Sequence, residues 1–288
     1  MMIDAHQHFW RIDRGDYSWL TNDMGVLYRD YLPDDLSPLI HKNDISGTVL
    51  VQAAPTYEET IFLLSLYDRH DWIYGVVGWL DLSAPSFPEQ LDSLMKRPGI
   101  VGLRPMLQDL EDSAWILQEQ VVENLKQLIR YDLPLDLLIN HKHISSVLTL
   151  MKTLPDLKAV IDHMAKPNIS AGELNKWQEE MNALSQFPNI WCKLSGLLTQ
   201  ADPAMWKVDD FTPYIQHIVR AFGPDRLLFG SDWPVCLSAG SYEEAVAVIK
   251  WNLPETLTLA EVDGIFSGNA KAFYKLKERG EENGQVSL

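Results

Sequence analysis

Two histidines separated by one residue, His6 and His8, close the first apolar stretch of the chain, in Ile3-Asp4-Ala5-His6-Gln7-His8-Phe9-Trp10. Side chains alternate along a β-strand, so both imidazoles face one side, where they could bind a metal, move a proton or hold an anionic group. A pair of this kind is as often solvated or bonded to backbone carbonyls. Its weight comes from two later segments: Asp162-His163 ends a second apolar run, and Gly230-Ser231-Asp232-Trp233-Pro234 ends the last one. Three distant strands would each deliver a metal-type or acid–base side chain at their C-terminal ends.

Asp232 is the leading catalytic candidate. It follows a strand on a tight turn bounded by Gly230, Ser231 and Trp233-Pro234, where a carboxylate can take a proton from water and pass it to a leaving group. Beside imidazoles it could also ligate zinc or manganese; the plainer alternative is a turn or cap aspartate. Alternation lets only one of Asp162 and His163 face the open end of its strand. His163 is expected there, with Asp162 orienting a neighbour or capping the loop. Arg104, in Gly102-Leu103-Arg104-Pro105, suits a clamp on a carboxylate or carbonyl oxygen, or a salt bridge within the rim. Lys193 lies inside the apolar run 190–194 and needs an anionic partner, Asp232 or Asp136. Gln52, His141, Lys193 and Trp233 join Arg104 as candidate substrate contacts, while His143 is expected to be structural.

Gathering such residues requires a scaffold that collects strand ends. Apolar runs of β-type composition recur at intervals of roughly 25 to 35 residues, the length of a strand, a helix and two loops. They fall at 2–8, 47–53, 73–80, 101–104, 133–139, 158–162, 190–194 and 227–230. Continuous stretches such as Thr48-Val49-Leu50-Val51 and Ala159-Val160-Ile161 suit parallel strands buried on both faces. Helical patterns lie at 56–69, 112–131, 144–153, 170–185, 212–222, 242–251, 259–267 and 269–279, the last turning polar at its end. Strands and helices in this alternation predict an α/β protein, a (β/α)8 barrel in regular or distorted form, whose C-terminal rim would collect the histidines and Asp232. An open doubly wound sheet is the alternative, but it wants a Gly-rich turn where this chain has His-Gln-His. The segment 9–33 is a long first βα loop rich in aromatics (Trp10, Tyr17, Trp19, Tyr28 and Tyr31). It is expected to serve as a cap that excludes water from the site, as a substrate contact, or as an interface.

The 288 residues, 46% hydrophobic and without a linker or low-complexity break, are expected to form one domain over 1–288. No signal-type segment is expected at the start, and no run approaches the roughly 18 apolar residues of a membrane span. Two cysteines, Cys192 and Cys236, suit reduced thiols, so a cytoplasmic protein is expected. A net charge of −16 argues against nucleic acid or an anionic membrane as partner. No phosphate-binding Gly loop, His-Glu-x-x-His helix or Gly-x-Ser-x-Gly elbow is present.

The segments Asp4–Trp10, Val160–His163 and Phe229–Pro234 together resemble the amidohydrolase superfamily, and the match runs over nearly the whole chain. The opening His-Gln-His-Phe-Trp followed by Tyr17-Ser18-Trp19-Leu20 more narrowly resembles its amidohydrolase-related branch. That branch contains sugar-lactone hydrolases, acting on L-fuconolactone or L-rhamnonolactone, and 2-pyrone-4,6-dicarboxylate lactonase. The resemblance implies a barrel in which His6, His8, His163 and Asp232 surround the reaction centre. These four would also be the ligands of one divalent metal, zinc before others, although members of the branch act without one. Binuclear members carry a bridging lysine or glutamate at strand four, where this chain has Arg104, so no binuclear site is expected. The implied activity is opening of a small lactone, a sugar-acid lactone first, in carbohydrate catabolism. Asp232 would be the general base, with His6, His8, His163 and Arg104, or one metal, polarising the carbonyl. A metal-dependent decarboxylase of a small aromatic acid is the alternative chemistry, and a non-catalytic sugar-acid binding protein the alternative class. The expected partners are the lactone itself and, in a homodimer, a second copy of the chain.

Overall fold

The apolar runs become eight parallel strands whose order in the sheet follows their order in the chain. The structure is a computed structural model that describes residues 1–277. The strands are β1 (Met2–Gln7), β2 (Ile45–Val51), β3 (Ile73–Gly78), β4 (Ile100–Leu103), β5 (Leu135–Leu137), β6 (Ala159–Ile161), β7 (Ile190–Leu194) and β8 (Leu227–Phe229). Between and after them run α1 (Pro33–Lys42), α2 (Tyr57–Tyr67), α3 (Phe87–Leu94), α4 (Glu119–Tyr131), α5 (Ile144–Thr153), α6 (Asn175–Ser185), α7 (Thr212–Phe222) and α8 (Tyr242–Asn252). The result is a (β/α)8 barrel, with inward Val49, Val51, Val160 and Leu228 fully buried in its interior and Leu50, Val76 and Leu135 packed in the cluster that includes the helices. No described helix is long and apolar enough to cross a membrane.

The barrel closes just beyond β8. Asp232 donates its backbone N–H to the His6 carbonyl (2.8 Å), and His8 donates to the Trp233 carbonyl (2.7 Å). The seam therefore sets Asp232 alongside both histidines through main-chain bonds alone. Asp4, buried below it, locks this arrangement. Its Oδ1 accepts the N–H groups of His6 (3.1 Å) and Ser231 (2.9 Å), and its Oδ2 accepts the hydroxyls of Ser231 (2.5 Å) and Tyr242 (3.0 Å). Burial pushes the Asp4 carboxyl up to about 6 despite these donors.

Strand centres and the bounds of α5 and α7 agree with the sequence reading; several helix starts do not. Helix α1 was not foreseen, because Pro38 inside it reads as a break. Its first turn nevertheless suits a helix, with a proline at the start and Asp35 accepting the Leu32 N–H (2.9 Å). Helix α3 was also missed, being only 8 residues long with Pro88 in its first turn. Helix α4 begins at Glu119 rather than 112, since Trp115–Leu117 forms a separate 3-10 turn and Gln118 is extended (ψ 140°). Helix α6 starts at Asn175 rather than 170. The final segment is helical over Asn269–Tyr274 and stops where Lys275 turns left-handed (φ 54°); the expectation for 278–279 lies outside the described residues.

Thr56 caps α2 as the sequence suggests, its hydroxyl accepting the Glu59 N–H (3.1 Å). Glu59 itself reaches back, its fully buried carboxylate accepting the N–H groups of Ala53 (2.9 Å) and Ala54 (2.8 Å). Burial outweighs these bonds and pushes its carboxyl from 4.5 up to about 8, with Asp16 adding to the rise and Arg104 opposing it. The folded protein thus keeps a proton that the unfolded chain gives up. The associated stability is complete below the unfolded value and is lost as the pH climbs through the folded one. Unfolding free energy, measured in urea, is expected to decline from about pH 5 to about pH 8 more steeply in the wild type than in Glu59→Gln. Parallel profiles would contradict this.

Candidate active site

The ends of β1, β6, β7 and β8 meet at the C-terminal rim. His6 and His8 leave β1 with their Nε2 atoms 3.2 Å apart. Asp232 faces them from across the seam, its Oδ1 lying 3.3 Å from His8 Nε2 and 3.7 Å from His6 Nε2. His163 comes from beyond β6, its Nε2 3.8 Å from the same oxygen and its Nδ1 2.9 Å from the Ser195 hydroxyl after β7. Three imidazoles thus surround one carboxylate oxygen. Gly196 permits the approach: at φ +62°, a Cβ there would stand 2.4 Å from His163 Nδ1 and 3.0 Å from Asp232 Oδ2.

Alternation predicted that either Asp162 or His163 would face inward, and the structure brings in both. His163, Met164, Ala165 and Lys166 lie in the left-handed region (φ 53°, 51°, 57° and 55°), which costs about 1–2 kcal/mol per residue. This turn swings His163 into the rim while Asp162 stays beneath it. Asp162 there joins a buried charge network. Its Oδ2 accepts from Arg104 Nη1 (3.1 Å), and its Oδ1 lies 3.0 Å from Lys193 Nζ and 3.3 Å from His6 Nδ1. Lys193 also pairs with Asp136 (2.5 Å), which Tyr274 holds through its hydroxyl (2.8 Å).

Burial would raise the Asp232 carboxyl, but the facing imidazoles of His163, His6 and His8 hold it below the usual carboxylate range. Burial would likewise raise Asp162, and Lys193, His6 and Arg104 hold it well below. Burial, reinforced by Lys193, keeps His6 well under the usual imidazole value, and burial lowers His163 to about 4. Near neutral pH the site therefore sets ionised Asp162 and Asp232 against neutral His6 and His163.

Above this floor opens a cavity of about 660 Å³, bordered by His8, Arg104, His163 and Asp232. Trp19, Met24 and Leu27 of the long first loop line the cavity, so that loop borders the site. Trp10, Tyr17 and Tyr31 are buried under the loop, and Tyr28 is exposed.

The other candidate contacts lie elsewhere. Gln52 is buried and positions Arg104, its Oε1 accepting from Arg104 Nε (2.8 Å) and its carbonyl from Nη2. Lys193 is fully buried beneath the histidines, held by Asp136 and Asp162 rather than Asp232, and does not reach the cavity. Trp233 packs edge-on against Phe9 and Tyr31, in the core. The substrate contact expected at His141 is not met. The strand ends at Leu137, and the 3-10 turn His141–His143 carries His141 outward to Glu180 (2.7 Å) and Lys176 (2.7 Å). Three contributors went unforeseen: Asp4, signalled only as a lone charge in an apolar strand, and Ser195 and Lys166, which carry no local pattern.

The His6, His8 and Asp232 donors form a group that could hold a metal, with His6, Asp162 and His163 as a second combination. Tetrahedral zinc with bonds of 2.0–2.1 Å places neighbouring ligand atoms about 3.3 Å apart. The separations of 3.2, 3.3 and 3.7 Å in the first group fit that requirement. The outer ring nitrogens fit as well. His8 Nδ1 sits 2.8 Å from the Val51 carbonyl and His6 Nδ1 sits 3.3 Å from Asp162, which can fix the tautomers with Nε2 lone pairs inward.

A (β/α)8 barrel with paired histidines after its first strand and an aspartate after its last is the plan of an amidohydrolase. The family model described as amidohydrolase matches residues 3–276, and the chain belongs to that family. Over 289 residues the chain is 37% identical to an L-fucono-1,5-lactonase of Burkholderia ambifaria, spanning 98% of this chain and 99% of that one. A second L-fucono-1,5-lactonase, from Burkholderia multivorans, is 36% identical over 291 residues, 96% of this chain and 97% of its own length. The fold also superposes on a crystal structure of an amidohydrolase from Burkholderia multivorans with bound zinc. The TM-score is 0.91 at 36% identity, covering 96% of this chain and 100% of that chain.

Proposed function

We propose that this chain hydrolyses a sugar-acid lactone of the L-fucono-1,5 type by adding water to its carbonyl. The observation that carries the reading is the Asp232 carboxylate, ringed by three imidazoles on the floor of a cavity walled by the first loop. Its full-length likeness to two L-fucono-1,5-lactonases supports the substrate class.

In this mechanism Asp232, ionised at working pH, takes a proton from water as the oxygen attacks the carbonyl carbon. The tetrahedral oxyanion faces His163, and the Arg104 guanidinium strengthens the field around it. As the ring C–O bond breaks, Asp232 returns its proton to the leaving oxygen, giving a hydroxy acid. Trp19, Met24 and Leu27 exclude bulk water from the reacting carbonyl. His6, His8 and Asp232 would hold one zinc ion, which when bound supplies Lewis-acid polarisation.

The test is acid release from a panel of aldono-1,5-lactones by chelated and zinc-reloaded protein. Opening well above the spontaneous rate, restored by zinc, is the expected result. Carbon dioxide release from a dihydroxybenzoate with every lactone left untouched would replace the reading by decarboxylation. His8→Ala removes one of the three donors. After dialysis against zinc, elemental analysis is expected to find about one ion per wild-type chain and almost none in the variant. Equal occupancy would exclude His8 as a ligand.

A further inference from the structure

The left-handed turn that delivers His163 carries a second side chain to the same cavity. Lys166 closes the turn, its N–H donating to the His163 carbonyl (2.8 Å), and both residues border the space above Asp232. Half-buried, the Lys166 ammonium has one hydrogen-bond partner among the described residues, the side-chain carbonyl of Gln108. It pairs with no described carboxylate, whereas Lys193 and Arg104 are each held by at least one. An ammonium offers three donors, so two remain, and the Gln108 amide N–H2 beside it makes no described bond. These free donors come from the segments that follow β4 and β6 and border the same cavity as Asp232.

We infer that Lys166 and Gln108 form the subsite that binds the ring hydroxyls of a polyhydroxylated lactone. They thereby determine specificity rather than perform chemistry, an inference that rests on the lactone reading above. Two neighbouring hydroxyl oxygens can accept from one ammonium and one amide, which an unsubstituted ring cannot do. In the cavity lining Arg104 and Lys166 offset Asp23 and Asp232, so its fixed charges do not select an anion, and the protein's charge of −16 disfavours one.

The test compares kcat/KM for L-fucono-1,5-lactone with that for δ-valerolactone, the same ring without hydroxyls, in wild type, Lys166→Met and Gln108→Leu. In Lys166→Met the ratio of the two values is expected to fall about 10- to 100-fold, chiefly through a raised KM for the hydroxylated ring. Gln108→Leu, at the rim, is expected to lower the ratio in the same direction and keeps the test decisive if the methionine variant fails to fold. An unchanged ratio, with both substrates falling together or neither falling, would overturn the subsite. So would a wild type that prefers a dicarboxylate lactone and loses that preference in Lys166→Met. A wild type that opens neither ring would instead refute the lactone reading itself.

Discussion

Asp232→Asn is expected to fold normally and to lose roughly 10²- to 10⁴-fold in kcat, the range for removing a general acid–base group. Asn suits the position because Asp232 sits at φ 58°, a left-handed conformation that Asn tolerates better than most residues. The seam also survives, since Asp232 contributes its backbone N–H to it. What disappears is the negative charge that faces His6, His8 and His163, and with it the acceptor for the water proton. A cooperative unfolding transition with lost turnover would support the assignment. Turnover within about tenfold of wild type would move the general base elsewhere.

Lys193→Met should act on stability first. Lys193 is fully buried among Asp136, Asp162 and His6, and no water can replace its charge. Methionine keeps much of the stem and leaves Asp136 without a cation and Asp162 with Arg104 alone. Removing one partner of a buried ion pair costs about 3–5 kcal/mol, so a loss of that size is expected in urea unfolding. Adding Asp136→Asn removes one stranded charge, and the double variant is expected to be more stable than Lys193→Met alone. A loss below about 1 kcal/mol for Lys193→Met would contradict the network, which also orients His6 from below.

These two residues also mark how far the chain could be read before folding. Asp232 was legible because a polar residue stands on a turn directly after an apolar strand, and strand ends share one rim in a barrel. The need of Lys193 for an anion followed from its place in an apolar run, yet the identity of its partners depended on which strands neighbour β7. The alternation rule served His6 and His8 and then failed at 162–166. Nothing in Asp-His-Met-Ala-Lys, which lacks glycine, announces a left-handed turn. That turn is why Asp162 and His163 both belong to the candidate site and why Lys166 borders the same cavity. His141 failed for the opposite reason, since β5 ends earlier than its apolar run suggests. The helices α1 and α3 were obscured by their prolines, while the strand order needed only the spacing of apolar runs.

The central claim, water addition to a sugar-lactone carbonyl, is tested most directly by hydrolysis of L-fucono-1,5-lactone in ¹⁸O-labelled water, followed by mass spectrometry. The expected result is acid formed far above the spontaneous rate, with one label in its carboxylate and none in the released hydroxyl. A rate no greater than in buffer, or label in the hydroxyl, would contradict it.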